Sequence, residues 1–202
     1  MKNILFLTNN NISNPLINFL YNIKGDKIIR YSEKLNLDYL NDVNPNIIIS
    51  YNYKYIISKD IIERFENKII NLHISLLPYS RGADPNFWSF MDDTAKGVTI
   101  HLIDEKIDTG PIILQKELFF DENKETLRIS YEKLHFEMQK LFIDNWKLIE
   151  SLNFKTEKQI GNFTFHKRIE FDKIRLLLES NESNIYDIPI VELKQIYKGL
   201  TK

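Results

Sequence analysis

An amide, an imidazole and a carboxylate occur together in the central stretch of the chain. Residues 71–78 read Asn-Leu-His-Ile-Ser-Leu-Leu-Pro, and residues 108–111 read Asp-Thr-Gly-Pro. Side chains alternate between the two faces of a strand, so Asn71 and His73 share one face and Leu72 and Ile74 the other. Pro78 has no N–H to give to a ladder and lies beyond the strand's end. Asp108 falls in a turn-forming segment after a second apolar run, 98–103. The set suits acyl transfer. The amide donates to a carbonyl oxygen, the imidazole moves or shares a proton, and the carboxylate fixes and charges the imidazole. No covalent intermediate is required, so Ser75 need not be a nucleophile. Taken alone, His73 would fit a hydrogen-bonded core histidine, and it is the set that points to chemistry.

These groups need strands to carry them and helices to cover the strands. Apolar runs predict strands over 4–8, 27–31, 47–50, 98–103 and 112–119, with a further one leading from Ile69 into Asn71. Helices are expected from Asn14 as cap with Pro15 following, over 35–40, after Ser58 as cap, over 85–91 and over 171–178. Leu127, Tyr131, Leu134, Met138, Leu141 and Leu148 recur at helical spacing and predict one long helix over 126–152. Strands alternating with helices imply an α/β chain, an open Rossmann-like, mostly parallel sheet flanked by helices. The expected organisation is a catalytic domain over residues 1–155, with residues 156–202 as a short C-terminal appendage packed on it.

The signature Asn71-x-His73-x-Ser75-Leu76-Leu77-Pro78, followed by Gly97-Val98-Thr99-x-His101 and Asp108-x-Gly110-Pro111, resembles the formyltransferases that use 10-formyltetrahydrofolate. The resemblance implies their Rossmann-like fold, 10-formyltetrahydrofolate as formyl donor, and Asn71, His73 and Asp108 as the catalytic trio. It places His101 near the site in a structural role. It also places the pterin against Tyr53, Tyr55, Ile56 and Ile57 and against the loop of Ile103, Asp104 and Glu105. Relatives often carry glycine and arginine where this chain has Asn52 and Tyr55, which leaves backbone groups to hold the ring. His73, His101, Asp104 and Asp108 lack the compact spacing of a metal motif, and no metal is expected.

The family's branches differ in the amine that accepts the formyl group. Glycinamide ribonucleotide enzymes have a glycine-rich first loop for a phosphate, whereas residues 8–14 here read Thr-Asn-Asn-Asn-Ile-Ser-Asn. The transfer-RNA branch normally adds a C-terminal barrel. The run from Arg81 to Trp88 resembles the sugar N-formyltransferases, which implies a nucleotide-linked amino-deoxysugar as acceptor and a role in polysaccharide biosynthesis. Arg81 could pair with a phosphate and Trp88 could face a sugar or ring, with Asn86, Asn9 and Lys167 as further contacts. The same residues also suit structure: Gly82 in a turn, Phe87 and Trp88 in a core, and His166-Lys167-Arg168 as a solvated basic face.

The formal charge is −1, which gives no electrostatic footprint for nucleic acid, and none is expected as a partner. With 43% hydrophobic and 27% charged residues the composition is that of a globular protein. It has no cysteine, hence no disulfide frame and no thiolate. Neither a signal peptide nor a membrane span is legible, so a cytoplasmic enzyme is expected, with a homodimer compatible with its aromatic C-terminal half. The alternatives are a glycinamide ribonucleotide formyltransferase and a folate- or nucleotide-binding module without catalysis.

Overall fold

A computed structural model describes residues 1–181 and 184–201. In chain order the elements are β1 (Asn3–Leu7), α1 (Asn14–Tyr21), β2 (Lys27–Tyr31), α2 (Leu37–Val43), β3 (Ile47–Ser50), α3 (Lys59–Arg64), β4 (Ile69–His73), β5 (Arg81–Gly82), α4 (Pro85–Met91), β6 (Lys96–Leu102), β7 (Ile112–Leu118), α5 (Leu127–Asp144), α6 (Trp146–Ser151), β8 (Phe165–His166), α7 (Arg168–Asn181) and α8 (Ile190–Leu200). The main sheet has the order β2-β1-β3-β4-β6-β7, and the pairs β1–β2, β1–β3 and β3–β4 are parallel. This is the mostly parallel, helix-flanked sheet expected from the sequence. None of the described helices is long and apolar enough to cross a membrane.

The chain divides into two compact units. The first comprises Met1–His73, Ile100–Leu114 and Met138–Gln159, and the second Ile74–Thr99, Gln115–Glu137 and Ile160–Lys202.

In the first unit, β1 and β3 read as nearly unbroken Ile, Leu and Phe because parallel strands are covered on both faces. Leu5, Leu7, Leu35, Leu40, Ile48, Ile57, Ile61, Phe65 and Ile69 form one of its clusters. The helix starts differ from expectation. Asn10, not Asn14, supplies a cap, its Oδ1 accepting from the N–H of Ile12 at 3.0 Å to begin a 3-10 turn that delivers Asn14 as the first residue of α1. Ser58 stands at the cap position of α3 without a side-chain bond to the helix backbone; its hydroxyl bonds the carboxylate of Asp60 and holds that carboxyl below its usual range. The helix expected over 35–40 begins at Leu37, where Asn36 accepts from the N–H of Tyr39 at 2.8 Å.

The single helix expected over 126–152 is two. Asn145 interrupts it with φ −112° and ψ 14°, its side chain donating back to the carbonyl of Leu141 at 2.9 Å. Asn competes in this way with the helix's own ladder, which is why it disfavours helix interiors. The buried residues here are Phe142, Trp146 and Ile149, while Leu148 is exposed, one position off the expected phase.

In the second unit, α4 contributes Phe87, Trp88, Phe90 and Met91 to a cluster with Leu127, Phe171, Leu178, Ile185, Ile190 and Leu193. The helix expected over 171–178 extends over Arg168–Asn181. His135, on α5, is 1% exposed, and burial pushes its pKa down to about 4. The folded state therefore resists a proton that the unfolded chain takes up near pH 6.5. The contribution is intact above pH 6.5 and lost as pH falls toward 4, with a limiting slope of about 1.4 kcal/mol per pH unit. Urea unfolding at pH 7 and pH 5 checks this, and His135→Leu should flatten the difference.

Candidate active site

β4 ends in the two polar residues that share a face. Asn71 Nδ2 lies 3.2 Å from Asp108 Oδ1 and 3.2 Å from His101 Nε2, so one amide reaches both neighbours. His73 is 7% exposed, with its Nδ1 3.7 Å from Asp108 Oδ2. His101, from β6, is 1% exposed and its Nδ1 lies 2.7 Å from the carbonyl of Leu102. A carbonyl only accepts, so Nδ1 donates and, in the neutral ring, Nε2 offers a lone pair. That lone pair receives a hydrogen of Asn71. His101 thereby fixes which end of the Asn71 amide faces Asp108.

Asp108 reaches this position from the loop between β6 and β7, with φ +54°, in the left-handed region that aspartate and asparagine tolerate better than other residues with a side chain. Within the loop Asp104 Oδ1 accepts from Thr109 Oγ1 at 2.6 Å and from the N–H of Lys106 at 3.2 Å. At its end, Gly110 packs so closely that a Cβ would stand 1.8 Å from the carbonyl oxygen of Leu102. Gln159, a residue no sequence pattern singled out, donates to the carbonyls of Asp108 at 3.0 Å and Gly110 at 2.8 Å. Asn71, His73, Asp108 and His101 thus converge within the first unit, and can together donate to a carbonyl oxygen and hold a proton in transit.

The segments expected to hold a flat ring belong to the same unit. Lys59 bridges to Glu105 at 2.8 Å, tying the start of α3 to the loop that carries Asp108. Ile56, on the first segment, is 75% exposed, Ile107, on the second, is 45% exposed, and Ile57 is buried in the core. Ile103 is half-buried, its N–H donating to the carbonyl of Ile69 at 2.9 Å. Tyr55 is half-buried beside Tyr53. Tyr53 is a strut: its hydroxyl donates to the carbonyl of Glu33 at 2.5 Å and accepts from the N–H of Leu35 at 3.0 Å, and burial pushes its pKa up to about 12. Tyr53→Phe should cost about 1–3 kcal/mol in a denaturant titration, because both backbone groups lose their partner. Asn9 joins three loops, donating to the carbonyl of Ser32 at 2.7 Å and accepting from the N–H of Lys54 at 3.0 Å, while its own N–H donates to the carbonyl of Asn52 at 3.1 Å.

Comparison with known families matches residues 24–145 to formyl transferase. The chain belongs to the formyl transferase family. It is 34% identical over 152 residues to the methionyl-tRNA formyltransferase of Thermodesulfovibrio yellowstonii, covering 74% of this chain and 48% of that one. The chain spans about half the length of the curated methionyl-tRNA formyltransferases it matches. Among solved structures, the formyltransferase PseJ from Anoxybacillus kamchatkensis, in complex with UDP-4,6-dideoxy-4-formamido-L-AltNAc and tetrahydrofolate, superposes with a TM-score of 0.83 at 42% identity, over 94% of this chain and 96% of that one. A 4-N formyltransferase from Francisella tularensis shares the fold, with a TM-score of 0.75 at 21% identity over 86% and 79% of the two chains.

The remaining residues singled out in the sequence, Arg81, Asn86, Trp88 and Lys167, belong to the second unit. Asn86 donates to the carbonyl of Leu127 at 2.8 Å and accepts from Ser130 Oγ at 2.8 Å, so its amide ties α4 to α5. Of the two places the sequence allowed Trp88, it takes the core one. It is buried and stacks on His166, ring centroids 3.7 Å apart and 5° from parallel. His166 in turn lies 2.9 Å from both Asp92 and Glu170. Arg168 pairs with Asp84 at 2.7 Å, and Lys167 stands exposed between it and His166. Arg81 lies over the ring of Phe163, and the β5–β8 pair fixes its backbone. The turn after β4 is held by Thr99, whose hydroxyl donates to the carbonyl of Ser75 at 2.7 Å and accepts from the N–H of Leu77 at 3.1 Å and from Gln115 Nε2 at 2.9 Å.

Proposed function

We propose that this chain transfers a formyl group from 10-formyltetrahydrofolate to the amine of a nucleotide-linked amino-deoxysugar. The observation that carries the reading is the likeness to PseJ, which extends over nearly the whole of both chains and whose complex contains a formamido sugar nucleotide and tetrahydrofolate. A homodimer in the cytoplasm, in a polysaccharide pathway, belongs to the same proposal.

The residues fit such a donor. Two segments bridged by Lys59 and Glu105 present the apolar Ile56 and Ile107, and Asn52 Nδ2 is buried without a hydrogen-bond partner at the edge of the first. Exposed apolar side chains beside an unused donor suit a flat heterocycle rich in hydrogen-bonding atoms. Tyr53, Tyr55, Ile56, Ile57, Ile103, Asp104 and Glu105 would frame it. When bound, the donor supplies an electrophilic carbonyl attached to a nitrogen leaving group.

The chain's own groups do the rest. Asn71 Nδ2 redirects a hydrogen from Asp108 toward the carbonyl oxygen, stabilising the negative charge that develops there. His73, with Nδ1 turned to Asp108, presents Nε2 as a second donor or proton carrier. The carboxylate of Asp108 takes up the proton that the attacking amine must lose, and a proton passes to the donor nitrogen as its bond to the formyl carbon breaks. The 3.7 Å separation of His73 and Asp108 is suited to a site that tightens around its substrates.

The test is a coupled assay with 10-formyltetrahydrofolate and three acceptors: a UDP-linked 4-amino-4,6-dideoxysugar, glycinamide ribonucleotide and methionyl-tRNA. Turnover confined to the sugar nucleotide is expected. Turnover of either other amine in its place would reject the acceptor, and formate release independent of any amine would reject transfer.

A further inference from the structure

Resting on the role proposed above for Asp108, we propose that Gln159 is the positioning residue for that carboxylate. Both hydrogens of its side-chain amide go to one short loop, to the carbonyl of Asp108 at 3.0 Å and that of Gly110 at 2.8 Å. A primary amide has two hydrogens to give, so this is its full donor capacity. The loop needs such a clamp. Asp108 stands at φ +54°, a region that aspartate tolerates but that costs an L-residue some free energy, so a hold on its peptide helps to keep its Cβ beside Asn71 and His73.

The segment that delivers Gln159 has little other purpose in the first unit. After α6 it forms no regular element, and residues 155–158 are all exposed. It is anchored two residues earlier, where Glu157 and Ile112 exchange backbone bonds of 2.8 and 2.9 Å in an isolated antiparallel bridge. Ile112 opens β7, the strand into which the Asp108 loop runs. The bridge therefore fixes the downstream end of the loop, while the glutamine fixes the peptide of the reacting carboxylate. A segment kept for packing would bring an apolar side chain to the core at this point; this one brings an amide to two carbonyls.

Gln159→Ala, Gln159→Glu and the neighbouring Lys158→Ala are compared with the unaltered chain and with Asp108→Asn. Gln159→Ala is expected to lower kcat about 10- to 100-fold, in the range of lost proton-transfer assistance, with KM for donor and acceptor within about twofold. Lys158→Ala should match the unaltered chain. Ionised glutamate cannot donate, whereas its protonated form can. The deficit of Gln159→Glu relative to the unaltered chain should therefore shrink as pH falls through the carboxyl range, a change that a merely structural role would not produce. Full kcat in Gln159→Ala beside an inactive Asp108→Asn would overturn the proposal and leave the function intact. Should the unaltered chain formylate none of the acceptors, the function fails, and Gln159 is judged by the crystal structure of Gln159→Ala. Departure of Asp108 from the left-handed region supports the clamp, and retention of its place beside Asn71 overturns it.

Discussion

Asp108→Asn is expected to lower kcat by about three orders of magnitude while leaving the fold and both KM values nearly unchanged. The substitution keeps the shape of the side chain. Its amide oxygen can still accept from Asn71 Nδ2, which lies 3.2 Å from Asp108 Oδ1. On the proposed mechanism, what disappears is the negative charge beside His73 and the basic oxygen that receives the amine's proton. A parallel His73→Ala variant should lose a comparable factor, and the double variant little more, because groups that act on one proton are not additive. Single-turnover rates, with thermal melts as control, measure this directly.

Gly110→Ala should be the most damaging conservative change in the first unit. The added carbon would stand 1.8 Å from the oxygen and 2.8 Å from the carbon of the Leu102 carbonyl. Both are backbone atoms, and the N–H of Leu102 is itself bonded to the carbonyl of Pro111 at 3.0 Å, so neither side can step aside. Relief requires the β6–β7 connection to open. A loss of about 3 kcal/mol or more is expected, a drop in Tm of roughly 10 °C for a chain of this size, and loss of turnover as the Asp108 loop is displaced. Gly161→Ala gives the scale of backbone strain by itself. It has φ +93° and no atom within 4 Å, and should cost only about 1 kcal/mol.

That Asn71, His73 and Asp108 come together was legible because each lies in a short motif with a strong local signal. A strand's alternation puts Asn71 and His73 on one side, and a turn dipeptide announces where Asp108 must bend. The strands of the parallel core declare themselves through runs such as Ile47–Ile48–Ile49. Other features depend on contacts that no window of sequence contains. Gln159 is a lone amide in a polar stretch, and its meaning lies in two carbonyls some fifty residues earlier. The two-residue pair β5–β8 is too short to carry a period. Asn145 breaks a helix whose apolar spacing runs on undisturbed, because a side-chain bond to Leu141 leaves no trace in hydropathy. Trp88 reads equally as ligand face or core, and only the imidazole lying on it decides between them.

The first loop illustrates how an amide side chain can substitute for glycines. Where a glycine-rich turn leaves its backbone donors available to an anion, Asn9 binds the ends of β1, β2 and β3 into one crest. Solvent exchange at the N–H of Lys54, on an exposed residue, should accordingly be slow, and its rate should report the collective opening of all three strand ends rather than the fraying of one. A single amide proton then becomes a gauge for how often the sheet's crest breathes.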